Sequence, residues 1–370
     1  MGVARRQRLF SVLASLVLAA VLLAACGGPG QQPGGASGGG SGGAAETSED
    51  AGEAAEPAST EPARVVVYSG RNENLIGPLL ERFQQATGIQ VEVRYGSTSE
   101  MAATLLEEGQ RSPADVFLAQ DAGALGAVAR EGLLRPLPAD LLDRVDQRFR
   151  SPDGLWVGVS GRARTLVYNP ERLAESDLPR SIFDLTDPKW RGRLGWAPTN
   201  ASLQAFVTAM RVVYGDDETR RWLEGFIANE PRVYPNNAAQ VEAVAAGEID
   251  LGLVNHYYLY QLKAQYGEDY PAANYYLPDG DIGALINVAG VGVLQTAPNP
   301  EAAMRLVDFL LSEEAQRYFA EQTYEYPLIS GVETGAGLPP IEGLASPDID
   351  LSDLWDLEGT LELLREVGAL

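Results

Sequence analysis

Cysteine, histidine and lysine are almost missing from this chain of 370 residues: it has one Cys, one His and two Lys, Lys189 and Lys263. A lone Cys excludes an intramolecular disulfide, a Cys-rich zinc site and a Cys-ligated cluster. A lone His excludes every multi-histidine metal site and leaves little for a His-based triad. Positive charge is scarce, with 28 Lys+Arg against 51 Asp+Glu and a formal net of −23. Nucleic acid is therefore not expected as a partner, because phosphate backbones are held by clustered cations. The Walker A, G-x-S-x-G, H-E-x-x-H and EF-hand patterns are also missing. Gly290-Val-Gly292 is too short for a dinucleotide fingerprint and lies in a strand. No nucleophile–base pair stands out, so the chain is not expected to be an enzyme. What is present is a hydrophobic content of 45%, enough for a real core.

Residues 1–26 carry the parts of a signal peptide: Arg5, Arg6 and Arg8, then an apolar run from Leu9 to Ala25, then Cys26. Small residues before a Cys resemble the bacterial lipobox, in which the Cys is lipidated and becomes the new N-terminus. The alternative is an ordinary membrane anchor with an incidental Cys. The run is marginal in length for a span, and the only Cys sits at the expected cut, so the lipoprotein reading leads. Residues 27–62 follow, with eleven Gly, six Asp/Glu and no Lys, Arg or aromatic among 36 residues. Such a segment buries nothing. A flexible chain of that size spans roughly 33 Å and reads as a tether. The expected location is extracytoplasmic, lipid-anchored to the outer face of the cell membrane. Once the leader is removed, three Arg go with it and the net charge becomes −26.

Strand-like and helix-like segments alternate from the start of the body. Arg64–Tyr68, Ile89–Tyr95 and Ala114–Ala119 read as strands, and Leu75–Thr87 and Ser99–Glu108 as helices. That β-α-β-α-β opening signals an α/β layer with a mostly parallel sheet. Further strands are expected at Trp156–Tyr168, Arg193–Trp196, Val233–Tyr234, Asp250–Val254 and Ile286–Leu294. Helices are expected at Leu203–Tyr214, Asp217–Asn229, Ala238–Ala246, Pro300–Phe319 and Leu351–Val367. Two α/β blocks joined by long strands near 156–168 and 285–294 make a hinged cleft. Ligands in open α/β sheets sit at the carboxyl ends of strands. The expected division is an N-lobe of 63–160 and 287–330 and a C-lobe of 161–286 and 331–370.

The chemistry concentrates where an apolar strand runs into a helix, at Val254-Asn255-His256-Tyr257-Tyr258. Asn255 is placed as an N-cap. At such a turn two neighbouring side chains can converge, so Tyr257 and Tyr258 would bring two phenols to the cleft. Phenolate is a hard oxygen donor, and a trivalent hard cation such as Fe³⁺ favours it well below the free pKa of about 10. With no thiolate and one imidazole, oxygen ligation is what remains. The pair could equally pack in a core with its hydroxyls bonded, and the motif alone leaves that open. Asn274-Tyr275-Tyr276 lacks the strand-to-helix context and reads as structural. Helix starts near Thr199-Asn200-Ala201-Ser202, Asn236-Asn237 and Asn255 offer free N–H groups and hydroxyls, which suit an anion. Each could also be a plain cap.

The body resembles the ferric-ion-binding solute-binding proteins of bacterial ABC importers. The resemblance runs over 64–330 and rests on VVVYSGR (65–71), SPADVFLAQD (112–121), SGRARTLVYNP (160–170), DLTDPKWRGRLGW (184–196), AVAAGEIDLGLVNHYY (243–258), NVAGVGVL (287–294) and YEYPL (324–328). It implies a bilobal, type II periplasmic-binding-protein fold of the Venus flytrap kind, with two α/β lobes on a strand hinge. It implies a monomer that hands Fe³⁺ to a membrane permease. It implies that Tyr257 and Tyr258 bind the iron, with carbonate or phosphate as synergistic anion held by Asn200, Ala201, Ser202, Asn237 and Asn255. Members with a His after the first strand are matched here by Asn72, followed by Glu73; members with a Glu after the third strand are matched by Gln120, followed by Asp121. Where another branch has a further Tyr, Ser202 stands. Glu73 and Asp121 are thus possible substitute ligands, and Arg71, Arg162 and Arg164 possible anion partners. His256 falls where the family has no ligand and reads as structural. The alternative function is an oxyanion or small organic solute binder on the same fold.

Overall fold

The computed structural model describes residues 63–335 and 337–370. The expected signal peptide, Cys26 and the linker lie outside the described residues. The chain opens with β1 (Arg64–Ser69), α1 (Glu73–Thr87), β2 (Gln90–Tyr95), α2 (Thr98–Glu108) and β3 (Val116–Ala119). Leu79, Leu80, Phe83 and Ile76 make the buried face of α1, and Gly88 ends it in the left-handed region at φ 72°, where a side chain would be strained. Ser97 and Glu100 close a capping box at the start of α2. β1 pairs in parallel with both β2 and β3, the order expected of a wound α/β layer.

A helix with no counterpart in the sequence reading follows, α3 (Ala122–Arg130), and then the short α4 (Ala139–Leu142). β4 (Val157–Tyr168) is buried along all twelve residues. Next come β5 (Leu194–Trp196), α5 (Ala201–Tyr214), α6 (Asp216–Ala228), β6 (Arg232–Val233), α7 (Asn237–Ala245), β7 (Leu251–Asn255), α8 (Tyr257–Tyr266) and β8 (Ala273–Tyr275). The chain returns through β9 (Ile286–Val293) and ends with α9 (Pro300–Leu310), α10 (Glu313–Tyr318) and α11 (Leu357–Glu366). The expected helix 300–319 is two helices, because Ser312 caps a new start by accepting from Ala315 N–H.

The hydrogen-bonded strand path runs β2-β1-β3-β9-β4-β7-β5-β6, with β8 also on β4. The first part of β4 pairs with β9, and its second part, Arg164–Tyr168, pairs with β7. β4 and β9 are therefore the strands on which two α/β lobes hinge. The largely apolar run of β9 fits burial on both faces, whereas β4 also buries Ser160, Arg162, Arg164 and Thr165.

Residues 331–370 were expected to lie in the C-lobe as a block, and the structure divides them. A 3-10 turn, Leu351–Trp355, lies on α3, with Leu351 and Leu354 buried and Arg130 stacked over the Trp355 ring at 4.3 Å. α11 then lies along α5: Thr360 Oγ1 is 2.7 Å from Thr208 Oγ1, and Arg211 reaches Asp356 at 2.8 Å. The turn can approach α3 because Gly123 and Gly126 have no side chain; a Cβ there would overlap the carbonyl oxygens of Leu354 and Ser352. Gly123→Ala and Gly126→Ala are each expected to lose about 1–3 kcal/mol in urea denaturation, as overpacking against fixed backbone does. Losses under 0.5 kcal/mol would show that the turn does not sit tightly on α3.

Candidate functional site

Tyr257 and Tyr258 open α8 directly after β7. Their rings stack, with centroids 4.3 Å apart and planes inclined by 29°. Tyr257 is 4% exposed and Tyr258 half-buried. Burial pushes the Tyr257 phenol well up, and the neighbouring Tyr258 adds to it. Tyr257 is therefore neutral at neutral pH.

Asn255 does not cap this helix, contrary to the sequence expectation. It is the last residue of β7, and His256 takes helical dihedrals (φ −55°, ψ −39°) with no room for a cap in between. The Asn255 N–H donates to Asn237 Oδ1 at 2.8 Å. Asn236 is the true N-cap of α7 and accepts from Ala239 N–H. Asn237, 1% exposed, turns inward behind Asn255, and its Nδ2 has no protein partner.

Two arginines on β4 face the same region. Arg162 donates to the Gln120 carbonyl; Arg164 donates to Ser202 Oγ at 3.3 Å and to the Leu253 carbonyl at 3.2 Å. They are 3% and 4% exposed. Neither forms an ion pair among the described residues, and the Nε of each is unbonded. Burial pulls Arg164 down to about 9. Arg162 feels the carboxylates of Asp121 and Glu325 without touching either, whereas Arg164 has only the Tyr258 phenol; a buried guanidinium with no ion-pair partner is costly and favours negative charge beside it.

Arg162, Arg164, Ala201, Ser202 and Asn255 line one pocket between the lobes. Gln120, Asp121 and Asn287 line it from the N-lobe side. Asp121 caps α3 by accepting from Ala124 N–H at 3.1 Å, and burial raises its carboxyl. Asn200 caps α5, and its Oδ1 accepts from both the N–H and the hydroxyl of Ser202. Of the expected site residues, then, Asp121, Ala201, Ser202 and Asn255 meet at one pocket, with Asn200 and Asn237 directly behind them.

Two expected residues are not free for that role. Arg71 is corrected outright as an anion partner: its guanidinium is fully buried in a two-pronged pair with Glu325, at 3.1 and 2.7 Å, and also donates to Ser160. Glu73 is exposed on the first turn of α1, outside the pocket lining, with its stem near Gly77 and Tyr95.

The residues that sequence reasoning missed are the segment Tyr324-Glu325-Tyr326 and the part played by His256. A five-residue π-helix, Phe319–Thr323, ends with Tyr324 in the left-handed region at φ 58°. That costs a non-glycine residue about 1–2 kcal/mol. His256 Nε2 donates to the Tyr324 carbonyl at 2.8 Å. Tyr326 pairs with Gly161 on β4, and its hydroxyl meets that of Tyr276 at 3.2 Å. Burial pulls His256 down to about 4, so the imidazole is neutral at neutral pH. No cluster of three His, Cys, Asp or Glu suited to a metal exists among the described residues, which leaves the phenols as the distinctive donors.

Two α/β lobes on a strand hinge, with a polar pocket between them, define an extracytoplasmic binding-protein fold of type II. The family model described as "Bacterial extracellular solute-binding protein" matches residues 111–343. The chain is 33% identical over 308 residues to the "Fe(3+)-binding periplasmic protein" of Serratia marcescens, covering 83% of this chain and 90% of that one. Iron-bound HitA from Pseudomonas aeruginosa is similar in structure, with a TM-score of 0.77, 37% identity, and coverage of 83% of this chain and 100% of that one. A Trichodesmium protein (IdiA, FutA) in complex with iron and citrate gives a TM-score of 0.73 and 30% identity, over 83% of this chain and 100% of that one. The chain belongs to the bacterial extracellular solute-binding proteins, a family of binding components rather than enzymes.

Proposed function

We propose that this protein captures ferric iron outside the cytoplasm and hands it to the permease of an ABC importer. Tyr257 and Tyr258 act as tyrosinate ligands and a synergistic anion completes the coordination. The observation that carries this reading is the stacked tyrosine pair at the β7–α8 turn, near two buried arginines that form no ion pair among the described residues. The names of the Serratia and Pseudomonas relatives, both of which include iron, support it. Carbonate or phosphate would sit at the start of α5, against Ala201, Ser202, Asn255 and the two arginines, where the positive end of the helix dipole and the guanidinium charges coincide. Asp121, which lines the pocket, would act as the substitute carboxylate ligand. Cys26 is the lipid-bearing residue and holds the body at the membrane through the linker. The lobes pivot as 63–160 with 287–330 against 161–286, and the C-terminal residues touch both.

Titrating ferric citrate into the protein and reading visible absorbance tests the proposal. A phenolate-to-iron charge-transfer band is expected, strong with bicarbonate or phosphate and weak in their absence. The same arginines would also suit a plain oxyanion binder, and that protein would stay colourless. Full-strength binding of ferric iron supplied without citrate, bicarbonate or phosphate would favour Asp121 as the completing ligand. Each tyrosine that binds iron releases a proton, so the apparent affinity is expected to fall by up to about a hundredfold per pH unit on acidification. Asn200→Asp combined with Ser202→Asp places negative charge where the anion is received and is expected to keep iron binding poor even at high bicarbonate.

A further inference from the structure

Four polar groups belong to His256, and each is bonded to a fixed part of the fold. Its N–H donates to the Ala163 carbonyl at 3.0 Å. Its Nδ1 accepts from the Ala163 N–H at 3.1 Å. Its Nε2 faces the Tyr324 carbonyl at 2.8 Å. Its own carbonyl accepts from Asn274 Nδ2 at 2.8 Å. A carbonyl can only accept and a backbone N–H can only donate, so the ring is the neutral tautomer with its proton on Nε2. One face of the imidazole stacks on Tyr326, with centroids 4.6 Å apart, and the Tyr257 ring stands edge-on to it at 5.7 Å and 88°. The ring is completely buried.

We propose that His256 is the positioning residue for Tyr257. It acts as a neutral donor–acceptor bridge that extends the β4–β7 pairing by one residue and docks the tyrosine turn on the segment Tyr324-Glu325-Tyr326. That segment is itself tied to β4 through Gly161 and to Arg71 through Glu325. Metal ligands hold their geometry through such outer contacts, whose loss weakens metal affinity by about 10–100-fold. The proposal rests on the reading of Tyr257 and Tyr258 as ligands.

The test uses the full chain with ferric citrate and bicarbonate. His256→Phe keeps the ring contacts and removes both side-chain hydrogen bonds; a 10–100-fold loss of ferric affinity and a displaced charge-transfer band are expected. His256→Gln can supply an acceptor and a donor at similar spacing and is expected to lie between Phe and the parent in both readouts. Because the chain has one histidine, ¹⁵N-histidine labelling gives a single imidazole signal pair in the unmutated protein, with gallium(III) replacing the paramagnetic iron. A protonated Nε2 and bare Nδ1 are expected, and the opposite tautomer overturns the proposal without any variant having to fold. Parent-like affinity and band in both His256 variants overturns it too, provided Tyr257→Phe has lost the band. If Tyr257→Phe keeps the parent band, the ligand reading has failed instead.

Discussion

Replacing Tyr257 and Tyr258 together by Phe is expected to abolish the visible band and leave no ferric binding measurable at micromolar protein. The change takes away two hydroxyl oxygens and keeps both rings, so the 4.3 Å stack and the burial of Tyr257 are retained. A lost phenol hydrogen bond costs about 1 kcal/mol, which in a domain of this size moves Tm by only a few degrees. Binding loss with near-parent melting therefore separates a ligand role from a packing role. Tight ferric binding by the folded double variant would remove these residues from the site.

Glu325→Leu is expected to cost about 3–5 kcal/mol of stability, because it leaves the Arg71 guanidinium buried with only Ser160 to receive it. Arg71→Met with Glu325→Leu should recover much of that loss, since an apolar pair of similar volume removes the stranded charge. Urea denaturation of the single and double variants reads both. Burial works to raise the Glu325 carboxyl, but Arg71 overcomes it and holds the group below its usual 4.5. The sign follows: the pair's stabilisation is present above the unfolded value and is lost as pH falls through the lower folded one. The parent should thus lose stability on acidification below about pH 4.5 and Glu325→Leu should lose less over the same interval. A single variant within 1 kcal/mol of the parent would mean that the pair contributes little.

The alternating strands, the strand pairs at the hinge and the tyrosine turn were legible because each depends on local pattern. Val65–Tyr68 and Ile286–Leu294 are short, mostly apolar runs rich in β-branched residues, which favour a buried strand. α3 was not legible: AGALGAVAR has no bulky helical stripe, since Gly123 and Gly126 are set by contact with residues more than two hundred positions away. Arg71 looked like a free cation near the cleft for the same reason, its partner Glu325 being 254 positions distant. Asn255 looked like a cap by residue type, but a strand can pass into a helix without one when the next residue, His256, is already fixed by its own bonds. Ser202 and Asn255 were legible as helix-start residues suited to an anion and again through the resemblance, but their meeting at one place with Asp121 required the folded hinge.

The Leu351–Trp355 turn and α11 complete the packing of α3 and α5, helices that begin some 230 and 150 residues earlier. β9 likewise enters its sheet between β3 and β4, both of which precede it by more than a hundred residues. A chain of this topology delivered end-first, from a ribosome or through a membrane pore, has no finished lobe until its last residues have arrived. High sequence separation between contacting parts also slows folding. Removing the final twenty residues would leave both lobes unfinished.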